Sequence, residues 1–189
     1  MKKVLAFAMA LAMVFSMAGC GNGSNSGSTN SGGDEVETLK IGVVCPISGV
    51  SAIAGKYITN GVEVVENELG GKIDIKGKEY NIEFIYMDNE ASEEKTTNVF
   101  QKLIEEEKVI AIVGPDMSKC ALAAGPIAQN AKCPIVTTFA TNTAVTEVGD
   151  YIFRACFIDP FQGQMAAQYI WESGYETASI MFNNADAYA

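Results

Sequence analysis

The sequence has no histidine in 189 residues, only one tryptophan, and 13 basic residues against 23 acidic ones, a formal charge of −10. Without histidine it lacks the commonest general base at neutral pH. No G-x-S-x-G elbow follows any strand-like run, and Asp88 and Glu90 sit at a strand end, where acids are ordinary turn residues. The five cysteines form no C-x-x-C pair, which together with the absent histidine argues against a zinc site. Basic residues are few and nowhere clustered, so neither nucleic acid nor an anionic lipid surface finds a complementary patch. A non-enzymatic protein without metal or cofactor is expected. A near-miss to a phosphate loop, Gly49 with Gly55-Lys56, is one residue too long and continues into Tyr57 rather than Ser or Thr.

The first residues carry a different message. Lys2 and Lys3 precede an apolar run from Val4 to Phe15, too short to span a bilayer comfortably, as in a secretory signal. The run closes on Ser16-Met17-Ala18-Gly19-Cys20, which resembles a bacterial lipobox, with Met17 in place of the usual Leu. Residues 1–19 are therefore read as a signal peptide and Cys20 as the lipidated residue. Residues 20–37 form a tether, since Gly21 to Gly33 is almost wholly Gly, Ser, Asn and Thr and behaves as flexible coil. Two acyl chains on one cysteine supply the two membrane signals that stable anchoring needs. Cys45, Cys120, Cys133 and Cys156 lie in apolar stretches and read as buried thiols.

From Leu39 onward strand-like apolar runs alternate with segments of helical period, the pattern of an α/β domain with a mainly parallel sheet. Strands are expected at 39–45, 81–86, 109–113, 135–137 and 178–182, with a hairpin-like connection at 72–78. One helix carries Ile58, Val62, Val65 and Leu69 and stops at Gly70-Gly71. A second opens at Ser92 and buries Val99, Phe100, Leu103 and Ile104. A third, Ser118 to Ala131, should kink or divide at Gly125-Pro126. A fourth is framed by Asp159 as N-cap, Pro160 and Gly174, with Phe161, Met165, Tyr169 and Ile170 inward. The chain ends in a polar loop just after the last strand, where an α/β unit would continue, so a fragment is expected.

Open α/β sheets bind ligands beyond the carboxyl ends of their strands. Three loops fall there: Ser48 to Ala54, Pro115 to Ser118 and Phe139 to Asn142. Ser118 at a helix start offers a hydroxyl beside free backbone N–H groups, which suits a carboxylate, and Thr141 adds another hydroxyl. Taken singly, Ser118 is also a plain N-cap, Thr141 a turn residue, and Met117 and Phe139 core residues.

The succession Ile41-Gly42-Val43-Val44-Cys45-Pro46-Ile47-Ser48-Gly49, Gly114-Pro115 with Ser118, Pro126-Ile127-Ala128-Gln129, Pro134-Ile135-Val136-Thr137 and Phe139-Ala140-Thr141 resembles the leucine/isoleucine/valine-binding proteins. Phe153-Arg154, Asp159-Pro160 and Gln162-Gly163 extend the likeness over nearly all of the chain after the tether. The resemblance implies the type I periplasmic-binding-protein fold, two Rossmann-like α/β lobes that close on a solute. Residues 38–158 would be most of lobe one, which is discontinuous in the family, and 159–189 the start of lobe two.

By the same resemblance Ser118 and Thr141 would hold an amino acid's carboxylate, and the carbonyl near Ala140 and Thr141 would face its ammonium group. Tyr188 would supply an aromatic contact from the second lobe. Met117 and Phe139 would border the pocket. Two positions depart from the family pattern: Ala54 stands where the leucine-binding type has an aromatic, and Asp116-Met117 replaces Leu-Cys. The implied role is an extracytoplasmic lipoprotein of an ABC importer, anchored to the membrane only through lipid, delivering a branched-chain type of amino acid to permease and ATPase subunits. A sensor or amide binder of the same fold, or a surface hydrolase with its catalytic groups downstream, are the alternatives.

Overall fold

Five strands of one six-stranded sheet run parallel, and the sixth is turned against them by a hairpin. The computed structural model describes residues 36–188. The expected signal peptide, Cys20 and all but the last two residues of the expected tether lie outside the described residues. Strand β1 (Thr38–Cys45) is followed by helix α1 (Ala52–Leu69), the hairpin β2 (Lys72–Ile75) and β3 (Lys78–Asp88), and helix α2 (Glu93–Gln101), which runs into a π-helical turn at Lys102–Glu106. Then come β4 (Ala111–Val113), α3 (Ser118–Ala131), β5 (Ile135–Thr137), the single turn α4 (Ala144–Glu147), β6 (Ile152–Arg154) and α5 (Asp159–Glu172). The strand order is β2-β3-β1-β4-β5-β6. The chain thus leaves β1 on one side to make β3 and crosses to the other side to make β4. Such a reversal opens a crevice beyond the carboxyl ends of β1 and β4.

Local chemistry explains most boundaries. Gly70 ends α1 in the left-handed conformation, φ 59°, with its N–H donating to Glu66 O. Lys76 and Gly77, both at positive φ, close the hairpin, and Gly77 N–H donates to Asp74 Oδ1 at 2.9 Å. Ser92 caps α2 by accepting from Lys95 N–H, with Glu93 and Glu94 in the first turn where the helix dipole favours them.

Successive β1 side chains point to opposite faces of the sheet, so Val43 and Val44 serve two separate cores. Val44 joins Phe100, Leu103, Ile112, Ala121, Ala124, Ile135, Val145 and Ile152 beneath α2, α3 and α4. Val43 and Cys45 pack with Ile58 and Val62 of α1 on the other face. That second layer is narrower: Val136 and Phe153, paired in register on β5 and β6, remain exposed. Cys45, Cys120 and Cys133 are free and buried, and Cys156 is free and half-buried.

Several expectations need correction. Val65 is exposed, because α1 covers only part of its sheet face. Residues 109–113 are not one fully covered strand: β4 begins at Ala111, and Ile110 is exposed while its N–H donates to Lys40 O. Of the two outcomes expected at Gly125-Pro126, division does not occur, since residues 118–131 form one helix with Pro126 inside it. The N-cap of α5 is Ile158, with Asp159 already helical. No residue of α5 is buried, so Phe161, Met165, Tyr169 and Ile170 do not face a core. Residues 178–182 form no strand, and Ile180, Met181 and Phe182 are exposed. A strand exists only by pairing, and among the described residues none lies beside that segment.

Candidate functional site

Glycine brings the two central loops together. The backbone of α1 approaches the loop after β1 so closely that a Cβ on Gly55 would lie 2.1 Å from Pro46 O. Gly114, at φ +108°, has the same 2.1 Å relation to Val44 O and turns the chain from β4 towards α3. The first loop is further pinned by Asp88 at the end of β3, whose carboxylate accepts from Ile47 N–H at 2.9 Å, Ser48 Oγ at 2.5 Å and Glu90 N–H at 2.8 Å. Burial would raise the pKa of Asp88, but the bonds from Ser48, Glu90 and Ile47 outweigh it and hold the carboxyl below its ordinary value.

The third loop is held by a cation. Arg154, the last residue of β6, donates from Nη1 to Ala140 O at 3.0 Å and Asn142 O at 2.8 Å. From Nη2 it donates to Thr143 O at 3.2 Å and Thr146 Oγ1 at 2.8 Å. One guanidinium thus ties down the whole segment from Ala140 to Thr146. Asn142 continues outward, with its N–H donating to Ser118 Oγ at 3.3 Å and its Nδ2 to Ala187 O at 2.5 Å.

Between these loops and the 183–188 segment lies a cleft of about 250 Å³ lined by Ala54, Asp116, Met117, Ser118, Phe139, Asp186 and Tyr188. Four of the residues singled out from sequence therefore meet: Met117, Ser118, Phe139 and Tyr188. Ser118 is the first residue of α3, the N-cap being Met117, so its hydroxyl is not used as a cap. Ala140 and Thr141 do not line the cleft, and both are buried behind it. Their carbonyls are already engaged, Ala140 O by Arg154 and Thr141 O by Asp159 N–H at 3.2 Å. Thr141 Oγ1 is buried with no hydrogen-bond partner.

Three features escaped the sequence reading. Arg154 was visible only as a member of a pattern, because its reach from β6 to the neighbouring loop depends on strand order. Asp186 joins the cleft through a turn in which it accepts from Tyr188 N–H. Asp116, 3% exposed, was noticed only as a departure from a family pattern, and its Oδ1 has no hydrogen-bond partner. Burial pushes its carboxyl above the ordinary value against backbone hydrogen bonds that favour the charged form. Among the described residues no group of histidine, cysteine or carboxylate side chains could hold a metal ion.

Residues 38–189 match the family model described as periplasmic binding protein. The chain belongs to the periplasmic binding protein family. The amino acid binding protein of Pseudomonas aeruginosa is 29% identical over 131 residues, 69% of this chain and 34% of the relative. Among solved structures, the branched-chain amino acid transporter substrate binding protein LivJ of Streptococcus pneumoniae, in complex with isoleucine, is similar at a TM-score of 0.66. It is 33% identical, and the match covers 72% of this chain and 38% of that one. A solute binding protein of an ABC transporter from Rhodopseudomonas palustris, in complex with 3,4-dihydroxybenzoic acid, is similar at a TM-score of 0.67. It is 31% identical, and the match covers 72% of this chain and 37% of that one. The α/β fold, with its mostly parallel sheet between helices, is that of the type I periplasmic binding proteins. This periplasmic binding protein chain spans about a third of the length of the curated relatives it matches.

Proposed function

We propose that this chain is the first part of an extracytoplasmic solute-binding lipoprotein that captures an amino acid between two lobes and delivers it to the permease and ATPase subunits of an ABC importer. The observation that carries the reading is the cleft at the sheet's switch point, with the Ser118 hydroxyl at the start of α3 and aromatic walls at Phe139 and Tyr188. A helix start presents unpaired backbone N–H groups and a positive dipole end, so a ligand carboxylate is the natural occupant there. Thr141, with its buried unpartnered hydroxyl, is the proposed second contact after a small movement of its loop. In this reading Cys20 carries the lipid anchor, residues 38–158 make up most of lobe one and residues 159–189 begin lobe two.

Two bare surfaces support incompleteness of both lobes: the sheet face at Val136 and Phe153, and α5, which buries no residue of its own. A second reading, an aromatic acid as ligand, is favoured by Phe139 and Tyr188 and by the dihydroxybenzoate held by the R. palustris relative. Calorimetric titration of the full-length natural protein with leucine, isoleucine, valine and 4-hydroxybenzoate separates the two. Ser118→Ala should weaken binding of whichever carboxylate binds by about 1 to 3 kcal/mol, the loss of a hydrogen bond to a charged group. Unchanged affinity would remove Ser118 from the site.

A further inference from the structure

Asp116 is out of place for a site that takes only a carboxylate and an aliphatic or aromatic body. It is buried, lines the cleft two residues before Ser118, and leaves Oδ1 without a partner. A buried carboxylate oxygen without a partner costs stability, and a protein that carries one needs a reason. The rest of the lining sharpens the point. Asp186 is a second carboxylate in the lining, and no lysine or arginine lines the cleft to neutralise either.

We propose that Asp116 is a specificity-determining residue of the first lobe that receives a positively charged nitrogen of the ligand. The cleft then has two chemically opposite ends within one short segment: the start of α3 with Ser118 for an anionic group, and Asp116 for a cationic one. A zwitterion spans both. The inference rests on the solute-binding reading and narrows it to ligands with a cationic nitrogen. That nitrogen can be the α-ammonium of any amino acid or a second, side-chain charge, and both would meet the same carboxylate. Burial, which raises the carboxyl's pKa, makes an arriving cation more effective, since each is then a poorly solvated partner for the other.

The test is calorimetric titration of the full-length natural protein, and of Asp116→Asn and Asp116→Leu, with five probes: leucine, its deaminated analogue 4-methylpentanoate, lysine, putrescine and 4-hydroxybenzoate. The expected result is that at least one nitrogen-bearing probe binds about tenfold or more tightly than both probes without nitrogen. The near-isosteric Asn variant should lose most of that preference, and the Leu variant should shift it towards 4-methylpentanoate. Leucine preferred over lysine would place the α-ammonium at Asp116, and lysine preferred would place the side-chain charge there. Should leucine bind with a nitrogen preference untouched in Asp116→Asn, the proposal falls while the amino-acid reading stands. Putrescine binding that depends on Asp116, with no amino acid bound, would uphold the proposal and overturn the amino-acid reading. Tight binding of 4-hydroxybenzoate alone, or no binding of any probe, overturns both.

Discussion

Residues 38–154 and residues 155–188 obey the same sequence grammar and end in opposite states. In the first region Phe100, Leu103, Ile112 and Ile135 are fully buried, and every helix longer than one turn rests on the sheet. In the second, α5 forms with its cap and its glycine stop, yet Trp171 is 81% exposed and the apolar run after it pairs with nothing. Local signals suffice to shape a helix, whereas burial and strand pairing need a partner layer. The second region lacks that layer among the described residues.

The comparison can be broken by mutation. Phe100→Ala should have the largest effect, about 3 to 5 kcal/mol in chemical denaturation, because it empties a fully enclosed site beneath α2. In the 189-residue chain, the matching truncation Trp171→Ala belongs to the other region and should fall at the bottom of the scale, within about 0.5 kcal/mol. A cost for Trp171→Ala approaching that of Phe100→Ala would mean that α5 is covered after all.

Arg154→Ala lies between these extremes. It removes four donated bonds to the segment 140–146 and should cost about 1.5 to 3 kcal/mol, with greater protease sensitivity of that loop. A change confined to surface charge would leave both readouts still.

Asp116→Asn should act in the other direction. Burial raises the folded-state pKa of Asp116 above its unfolded value, so its contribution to stability is full below the unfolded pKa and is lost as pH rises through the folded one. The variant, which does not titrate, should therefore melt higher than the parent at neutral pH, and the gap should close on acidification below the ordinary carboxylate range. A gap independent of pH would show that the carboxylate is not under strain.

Much of the fold was legible because it rests on near neighbours in the chain. The period of Ile58 and Val62, the cap at Ser92, the stop at Gly70 and the turn after β2 each depend on residues within a few positions. The errors share a cause as well. Val65, Ile110 and Tyr169 carry the right residue type for a core, and their exposure depends on how far the opposite layer extends. At the candidate site, Ser118, Met117, Phe139 and Tyr188 were singled out by their places in the loops and by family likeness, and they line one cleft. Ala140 and Thr141 lie buried rather than in the lining, a difference set by how the loop turns, which a sequence does not show. Asp116 and Arg154 became meaningful only with strand order and with partners counted atom by atom.

By itself, then, the sequence determined the alternation of strands and helices, the acidic body without histidine, and the loops at which a ligand-binding site would form. Those are properties of composition and of short-range periodicity, which act before the chain is folded. Tertiary structure decided that β1 and β4 flank the crevice, that Arg154 locks the loop between Ala140 and Thr146, and that Asp116 stands buried near Ser118 with its Oδ1 unpartnered. Those outcomes depend on contacts between residues tens of positions apart, and burial and electrostatics have no value until such contacts exist.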